Sequence, residues 1–365
     1  MDLQEARKVI EEIDKDMAAL FEKRMNTVTD VAKFKIENGL PVLDAKREER
    51  LLEKNESYIK NPEFIPYYKD FLNSLMRVSK NYQNVLMEGL RVAYSGVEGA
   101  FANIAAGKIF PNAVLVPYGS FDAAYKAVVN HEAEACVLPI ENSYAGEVGQ
   151  VTDLLFAGDL TVSGIYDLKV TQNLVAIKGS NINNIKKVIS HPQALMQCES
   201  YIHDHKFTTE HEVNTAVAAK KVSELKDLTV AAIASKETAE LYDLEVLEAN
   251  INKSSTNTTK FVVLTNGQGK TGGSDDYSAF ILMFTLKNAA GTLSKALNII
   301  GEFGYNIRVI RSRPLRDLNW QYYFYLEVEG KISSKEGQDT LAELNKKCDR
   351  LKVLGTYKPD ISILN

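Results

Sequence analysis

Cysteine, tryptophan and histidine are scarce in this sequence, and positive charge is not in excess. The 3 cysteines, Cys136, Cys198 and Cys348, are scattered and form no C-x-x-C pair, so neither a disulfide framework nor a structural zinc site is expected. Lysine and arginine total 43 against 48 aspartates and glutamates, a net charge of −5. A nucleic-acid surface needs a basic excess, so no nucleic-acid partner is expected, and any bound anion must be met by local cations. No apolar run reaches the length of a membrane span. The opening MDLQEARKVIEEIDKD is charged from its second residue and has no apolar signal-peptide core. These absences predict a chain with no membrane partner in a reducing cytoplasm.

What remains is globular material. Hydrophobic residues make up 45% and charged residues 25% of 365, enough for two or three domains with cores of their own. Residues 1–88 read as helical. Leu3, Ala6, Ile10, Ile13, Met17, Leu20, Phe21, Val28, Val31 and Phe34 recur every three or four positions, with Glu and Lys on the other face. Asn38-Gly39-Leu40-Pro41 stops this helix. A second helix is predicted from Asp44 to about Lys60, breaks at Pro62 and Pro66, and a third helix over Tyr67–Met87. Two short neighbours cannot cover so long an amphipathic stripe, which predicts an intertwined homodimer.

Residues 90–265 change texture. Strands are predicted at 90–94, 135–138, 174–177, 187–190, 230–234 and 260–264, with helices between several of them. The alternation implies an α/β domain with a largely parallel sheet, whose ligands bind at the loops beyond the strand ends. Residues 266–276, Asn-Gly-Gln-Gly-Lys-Thr-Gly-Gly-Ser-Asp-Asp, read as a linker. Residues 277–365 carry a β-α-β-β-α-β order, hence an α+β ferredoxin-like unit.

Eight polar residues stand out in the helical segment: Arg7, Arg24, Lys35, Asp44, Arg47, Glu48, Ser79 and Gln83. Periodicity alone reads them as solvated charges. Their spacing, with Asp44-x-x-Arg47-Glu48 and Ser79-x-x-x-Gln83, resembles the all-helical bacterial chorismate mutases across residues 1–88. The resemblance implies that Arg24 and Arg47 hold the carboxylates of chorismate and that Arg7 reaches in from a partner chain. It implies that Lys35 and Gln83 face the ether oxygen and that Asp44 and Glu48 meet the hydroxyl or orient the cations. A pericyclic rearrangement needs no nucleophile, metal or cofactor, only a compact conformer and stabilisation of charge on that oxygen.

Four loops stand out in the α/β segment. They are Ala93–Phe101, which carries Gly96 and Gly99, then Leu138-Pro139-Ile140-Glu141-Asn142-Ser143, Ser190-His191-Pro192-Gln193-Ala194-Leu195-Met196-Gln197-Cys198, and Asn257-Thr258-Thr259-Lys260-Phe261. In this order they resemble prephenate dehydratase, a fold of two α/β lobes like the type-2 periplasmic binding proteins with the site between them. The resemblance gives Thr259 the principal catalytic role, with Glu141, Asn142, Gln193 and Glu212 in support and no cofactor or metal. Lys260 stands where the family usually has arginine. Lysine keeps the charge and loses the bidentate fork, which bears on carboxylate grip and on prephenate against arogenate.

The last segment resembles an ACT regulatory domain through Asn288-Ala289-Ala290-Gly291-Thr292-Leu293 and Ser312-Arg313-Pro314. That implies phenylalanine as effector, with Gly291, Thr292, Leu293, Ser312, Arg313 and Pro314 at its site. Thr292 interrupts the usual Gly-Ala-Leu, and Arg311 replaces a glutamate with the opposite charge. The whole implies a bifunctional enzyme of phenylalanine biosynthesis under phenylalanine feedback. An arogenate dehydratase and a non-catalytic metabolite sensor are the alternatives.

Overall fold

The computed structural model describes residues 2–253, 256–267, 278–315 and 321–363, with backbone alone at 45–46. They form two compact units, Met1–Arg91 and Val92–Asn365.

The first unit holds three helices, α1 (Leu3–Asn38), α2 (Ala45–Glu56) and α3 (Ile65–Glu88). Asp2 and Glu5 form a reciprocal capping box at the start of α1, and Gly39 closes it in the left-handed conformation at φ 62°. Asp44 caps α2 by accepting from the Arg47 backbone N–H. The expected break at Pro66 is corrected: Pro66 lies in the first turn of α3, where a missing N–H costs no hydrogen bond. Helix α2 also stops at Glu56, short of the expected Lys60. Val28, Ala32, Leu72 and Met76 form the buried core. No residue of α1 before Val28 is buried.

The second unit begins with β1 (Arg91–Ser95), α4 (Phe101–Ile109), β2 (Val114–Tyr118), α5 (Phe121–Val129), β3 (Ala135–Asn142), β4 (Gly146–Glu147), α6 (Gly149–Ala157) and β5 (Thr161–Lys169), which build lobe one. Lobe two follows with β6 (Asn173–Ile177), β7 (Lys187–Ser190), α7 (Pro192–Gln197), α8 (Glu199–Asp204), β8 (Thr208–His211), α9 (Thr215–Leu225), β9 (Val230–Ala234), α10 (Lys236–Leu241) and β10 (Leu244–Glu248). The chain then returns to lobe one through β11 (Thr258–Thr265). The sheets are mixed, which corrects the largely parallel expectation. Strand β11 inserts between β5 and β3 and runs antiparallel to both. In lobe two β6 runs antiparallel to β9 and β10, while β7 is parallel to β8 and β9. The cause is the double crossing: the chain leaves after β5 and comes back along it, and the Val170 N–H donates to the Asn257 carbonyl where the two crossings meet, 2.8 Å apart.

A ferredoxin-like unit completes the chain: β12 (Ala279–Thr285), α11 (Thr292–Glu302), β13 (Asn306–Pro314), β14 (Tyr322–Glu329), α12 (Lys335–Asn345) and β15 (Arg350–Tyr357), in sheet order β13-β14-β12-β15. Of the expected linker at 266–276, all but Asn266 and Gly267 lies outside the described residues. This unit shares a core with lobe one. Ile281, Met283, Tyr323, Tyr325 and Leu354 pack in one buried cluster with Val151, Leu155, Val162 and Ile165. Gly355 lets the two backbones touch, since a Cβ there would stand 2.1 Å from the Val162 carbonyl oxygen. A last strand, β16 (Ile361–Ile363), which the sequence did not reveal, adds in parallel to the edge of lobe one at β5.

Two candidate active sites

In the helical unit, Arg24, Lys35, Asp44, Arg47, Glu48, Ser79 and Gln83 line one cavity of about 120 Å³. Lys80, which the sequence reading passed over, lines it too and pairs with Glu48 at 3.0 Å. Four cations against two carboxylates leave the cavity with two positive charges, which matches a dicarboxylate. The parts brace one another. An Arg24 guanidinium N–H donates to Ser79 Oγ, and Lys35 Nζ donates to the Val42 carbonyl at 2.7 Å, tying the end of α1 to the turn before α2. Burial lowers the pKa of Arg24. Burial, then the charge of Arg47, lowers that of Lys35, with Asp44 and Glu48 pulling it back. Gln83 donates to the Ser79 carbonyl at 3.3 Å, while its buried Oε1 has no partner among the described residues. Arg7 is exposed and absent from the lining. At a rise of roughly 1.5 Å per residue it lies about 25 Å along α1 from Arg24, too far to reach this cavity from the same chain.

The second site is a cavity of about 570 Å³ lined by residues of both lobes. Among the described residues its lining holds no lysine or arginine. It is instead ringed by helix starts: Ala100–Ala102 of α4, Ser120 and Phe121 of α5, Val148 and Gln150 of α6, His191 and Gln193 of α7, and Asn214 and Thr215 of α9. No side chain caps α4 or α6. Backbone N–H groups and helix dipoles are thus what this lining offers an anion.

A chain of side-chain amides runs through the floor. Asn142 Oδ1 accepts from the backbone N–H groups of Tyr144 and Ala145 at 3.0 and 2.9 Å, which fixes the orientation of its amide. Its Nδ2 must then be the donor to Thr259 Oγ1 and to Asn257 Oδ1, both at 2.9 Å. Thr259 therefore accepts from Asn142, and its own O–H is left to donate elsewhere. Asn257 passes the pattern to Gln197 Oε1 at 3.1 Å, which also accepts from Gln172 at 3.3 Å. Asn142, Gln172, Gln197 and Thr259 are all on the lining. Gln197 and Gln172 were missed in the sequence. Gln197 follows Gln193 by four residues, one helical turn, and that spacing could have found it. For Gln172 there was no signal.

His191 caps α7 through its Nδ1, which accepts from the Gln193 N–H at 3.2 Å. Burial, then the neighbouring His211, lowers its pKa, and an Nδ1 that accepts places the ring proton on Nε2.

Three residues picked from the sequence stand off this lining. Glu141 is held by Arg311, 2.6 Å between Oε2 and Nη2. Lys260 stands opposite Glu141 on β3 and Asp167 on β5, one residue out of phase with Thr259. In a strand such neighbours face opposite sides, so Thr259 and Phe261 face the cavity and Lys260 faces away. Glu212 pairs with Lys221 at 2.6 Å.

A third cavity, about 310 Å³, lies in the ferredoxin-like unit and includes Gly291, Thr292, Leu293, Tyr322 and Phe324 in its lining. Gly291 adopts φ 77° at the start of α11, and Thr292 Oγ1 donates to the carbonyls of Lys287 and Ala289, both at 2.9 Å. Ser312, Arg313 and Pro314 are not on this lining. Arg313 instead grips Asp153 of α6 through two bonds of 2.8 and 3.1 Å.

A dicationic helical cavity and a two-lobed, dipole-ringed cleft on one chain define a bifunctional enzyme of small anions. Residues 6–84 match the family described as Chorismate mutase type II, and residues 92–269 match Prephenate dehydratase. The bifunctional chorismate mutase/prephenate dehydratase of Aquifex aeolicus is 29% identical over 98% of this chain and 98% of its own length. Arogenate dehydratase 2 of Petunia hybrida is 36% identical over 81% of this chain and 79% of its own. Among solved structures, the prephenate dehydratase of Arthrobacter aurescens in complex with L-Phe is 25% identical with a TM-score of 0.68, covering 73% of this chain and 90% of that one. GqqA, described as a novel type of quorum quenching acylase, is 28% identical with a TM-score of 0.69, covering 74% and 98%. The chain belongs to the bifunctional chorismate mutase/prephenate dehydratase family. Among the described residues no helix is long and apolar enough to cross a membrane.

Proposed function

We propose that residues 1–88 rearrange chorismate to prephenate, that residues 90–265 convert prephenate to phenylpyruvate, carbon dioxide and water, and that residues 277–365 sense phenylalanine. In the first step Arg24 and Arg47 hold the two carboxylates through their planar forks, and Lys35 and Gln83 stabilise the charge that builds on the ether oxygen. Asp44 caps α2 at the Arg47 backbone N–H, and Glu48 holds Lys80 at 3.0 Å. The exposed apolar stripe of Leu3, Ile10, Ile13, Met17 and Leu20, which covers nothing in its own unit, is buried against a second copy, and that copy supplies Arg7.

In the second step the helix starts hold the carboxylates of prephenate. The Thr259 hydroxyl donates to the departing C4 hydroxyl while the ring carboxylate leaves as carbon dioxide and the ring becomes aromatic. The observation that carries this reading is the hydrogen bond from Asn142 Nδ2 to Thr259 Oγ1, which leaves the Thr259 O–H free to donate to a substrate in the cavity. Gln193 and Gln197 orient the substrate from lobe two. Arogenate, with an ammonium group in place of the keto oxygen, is the second reading. It is favoured by Glu147, a carboxylate on the lining whose buried Oε1 has no partner among the described residues. Comparing kcat/KM on the two substrates decides between them. Phenylalanine fits the third cavity, where Phe324 and Leu286 offer apolar surface and the turn at Gly291 offers backbone groups. The cytoplasm is the compartment that suits all three parts.

Arg24→Ala tests the division of labour. It removes turnover of chorismate and leaves turnover of added prephenate intact. Loss of both activities with this one change would refute independent sites.

A further inference from the structure

The hydrogen bond from Asn142 to Thr259 depends on the tip of β3, where the Ser143 N–H donates to the Thr258 carbonyl at 2.8 Å and the Asn142 amide bonds Asn257 and the Tyr144 and Ala145 N–H groups. The β3–β11 ladder pairs Asn142 with Thr259 and Glu141 with Lys260, then skips Ile140 and resumes at Pro139 opposite Phe261. The skipped residue is a bulge, which bends the strand and disrupts the ladder locally before pairing resumes. On the outer side the tip meets only the two-residue strand β4.

A residue of the ferredoxin-like unit adds a further hold, on the side chain next to Asn142. The Arg311 side chain is 9% exposed, its Nη2 lies 2.6 Å from Glu141 Oε2 and its Nη1 3.7 Å from Glu327 Oε1. Its guanidinium carbon sits 4.9 Å from the centre of the Tyr325 ring. Glu327 is itself fixed, accepting from the hydroxyls of Tyr325 at 3.0 Å and Tyr357 at 2.7 Å. Arg311 is therefore anchored in the C-terminal sheet and reaches one bond into lobe one, beside the residue that sets Thr259. It also stands among Glu141, Glu147 and Glu327, behind a cavity that must take a dianion and whose described lining has no cation of its own. Unpaired, those carboxylates would repel the substrate.

We propose that Arg311 is a positioning residue of the dehydratase, which clamps Glu141 and thereby holds Asn142 against Thr259. This rests on the dehydratase reading given above. The exchange of charge at position 311 fits this role, since arginine pairs with Glu141 where a glutamate would repel it.

The test uses the full chain with prephenate, comparing Arg311→Gln, Arg311→Lys, Glu141→Gln and the double Arg311→Gln/Glu141→Gln variant. Misplacing a catalytic group by about 1 Å costs up to roughly a hundredfold, so Arg311→Gln is expected to lower kcat between about tenfold and a hundredfold. KM should change less, and the mutase rate measured in the same preparation should not change. Arg311→Lys, which preserves the buried charge and so protects the fold, should fall between. The double variant should lose less than the product of the two single losses, because Glu141 is no longer left charged and unpaired. Thermal unfolding of each variant separates lost position from lost fold. A chain that never turns over prephenate would overturn the dehydratase reading and this proposal with it. A wild-type chain that does, with Arg311→Gln folded and within twofold in kcat or Arg311→Lys folded and losing as much as Arg311→Gln, would overturn this proposal alone. So would single losses that simply multiply.

Discussion

Replacing Thr259 with valine removes one hydroxyl and keeps nearly the same shape. In the resting site the cost is small. Asn142 Nδ2 loses Thr259 Oγ1 but retains Asn257 Oδ1 at 2.9 Å and the Thr258 carbonyl at 3.3 Å, so no donor is orphaned. A loss of stability of about 1 kcal/mol is expected, the net worth of one hydrogen bond. In the transition state the cost is large. The leaving hydroxyl gathers negative charge in a cleft whose described lining offers no cationic side chain. A donor aimed at developing charge is worth about 2.7–4 kcal/mol, a factor of roughly 10² to 10³ in kcat. The assay follows phenylpyruvate formed from prephenate by purified Thr259→Val, with the mutase rate of the same preparation as internal control. Thr259→Ser, which restores the hydroxyl, should recover most of the rate. A Thr259→Val enzyme within about threefold of wild type would refute the reasoning, as would an equal loss of mutase activity.

Three further outcomes follow. Added salt screens charges, so KM for chorismate at the dicationic helical cavity should rise from low salt to about 0.5 M, while KM for prephenate at the dipole-ringed cleft rises less; the reverse order would contradict the two binding modes. His191 has its pKa lowered below the ordinary 6.5. Between those values the unfolded chain binds the extra proton, so stability is full above about pH 6.5 and is lost as pH falls through the lowered value. His191→Asn keeps a capping acceptor and should remove this part of the pH dependence; denaturant midpoints at pH 5 and 7 check it, and an unchanged difference would refute it. Ile13 is 52% exposed on the uncovered stripe of α1. Ile13→Glu should convert a dimer to a monomer in light scattering and cost mutase activity; a wild-type chain already monomeric would refute the shared site.

The helical cavity was legible through the family resemblance, since periodicity alone reads Arg24, Lys35, Ser79 and Gln83 as solvated groups and places only Ser79 and Gln83, four apart, on one face. Lys80 was not legible, since it follows Ser79 by a single position and only the approach of α2, with Glu48, turns it inward. In the cleft the order of loops was legible and the facing of residues was read too coarsely. Thr259 with Lys260, and Asn142 with Glu141, are strand neighbours, and a period of two sends one of each pair into the cavity and the other to the back of the sheet. Applied to the sequence, that rule would have moved Glu141 and Lys260 off the cavity lining. What no local pattern could give is the path of β11 between β5 and β3, the parallel return of β16, or the reach of Arg311 and Arg313 into lobe one. Those depend on contacts between residues far apart in the chain, 170 positions for Arg311 with Glu141 and 160 for Arg313 with Asp153.

The central claim is that one chain carries out both steps. The most direct measurement supplies chorismate alone to the purified protein and follows prephenate and phenylpyruvate over time. The account predicts that prephenate rises first and phenylpyruvate follows. With Thr259→Val, prephenate should accumulate at the wild-type rate. No prephenate and no phenylpyruvate from the folded wild-type chain would contradict it.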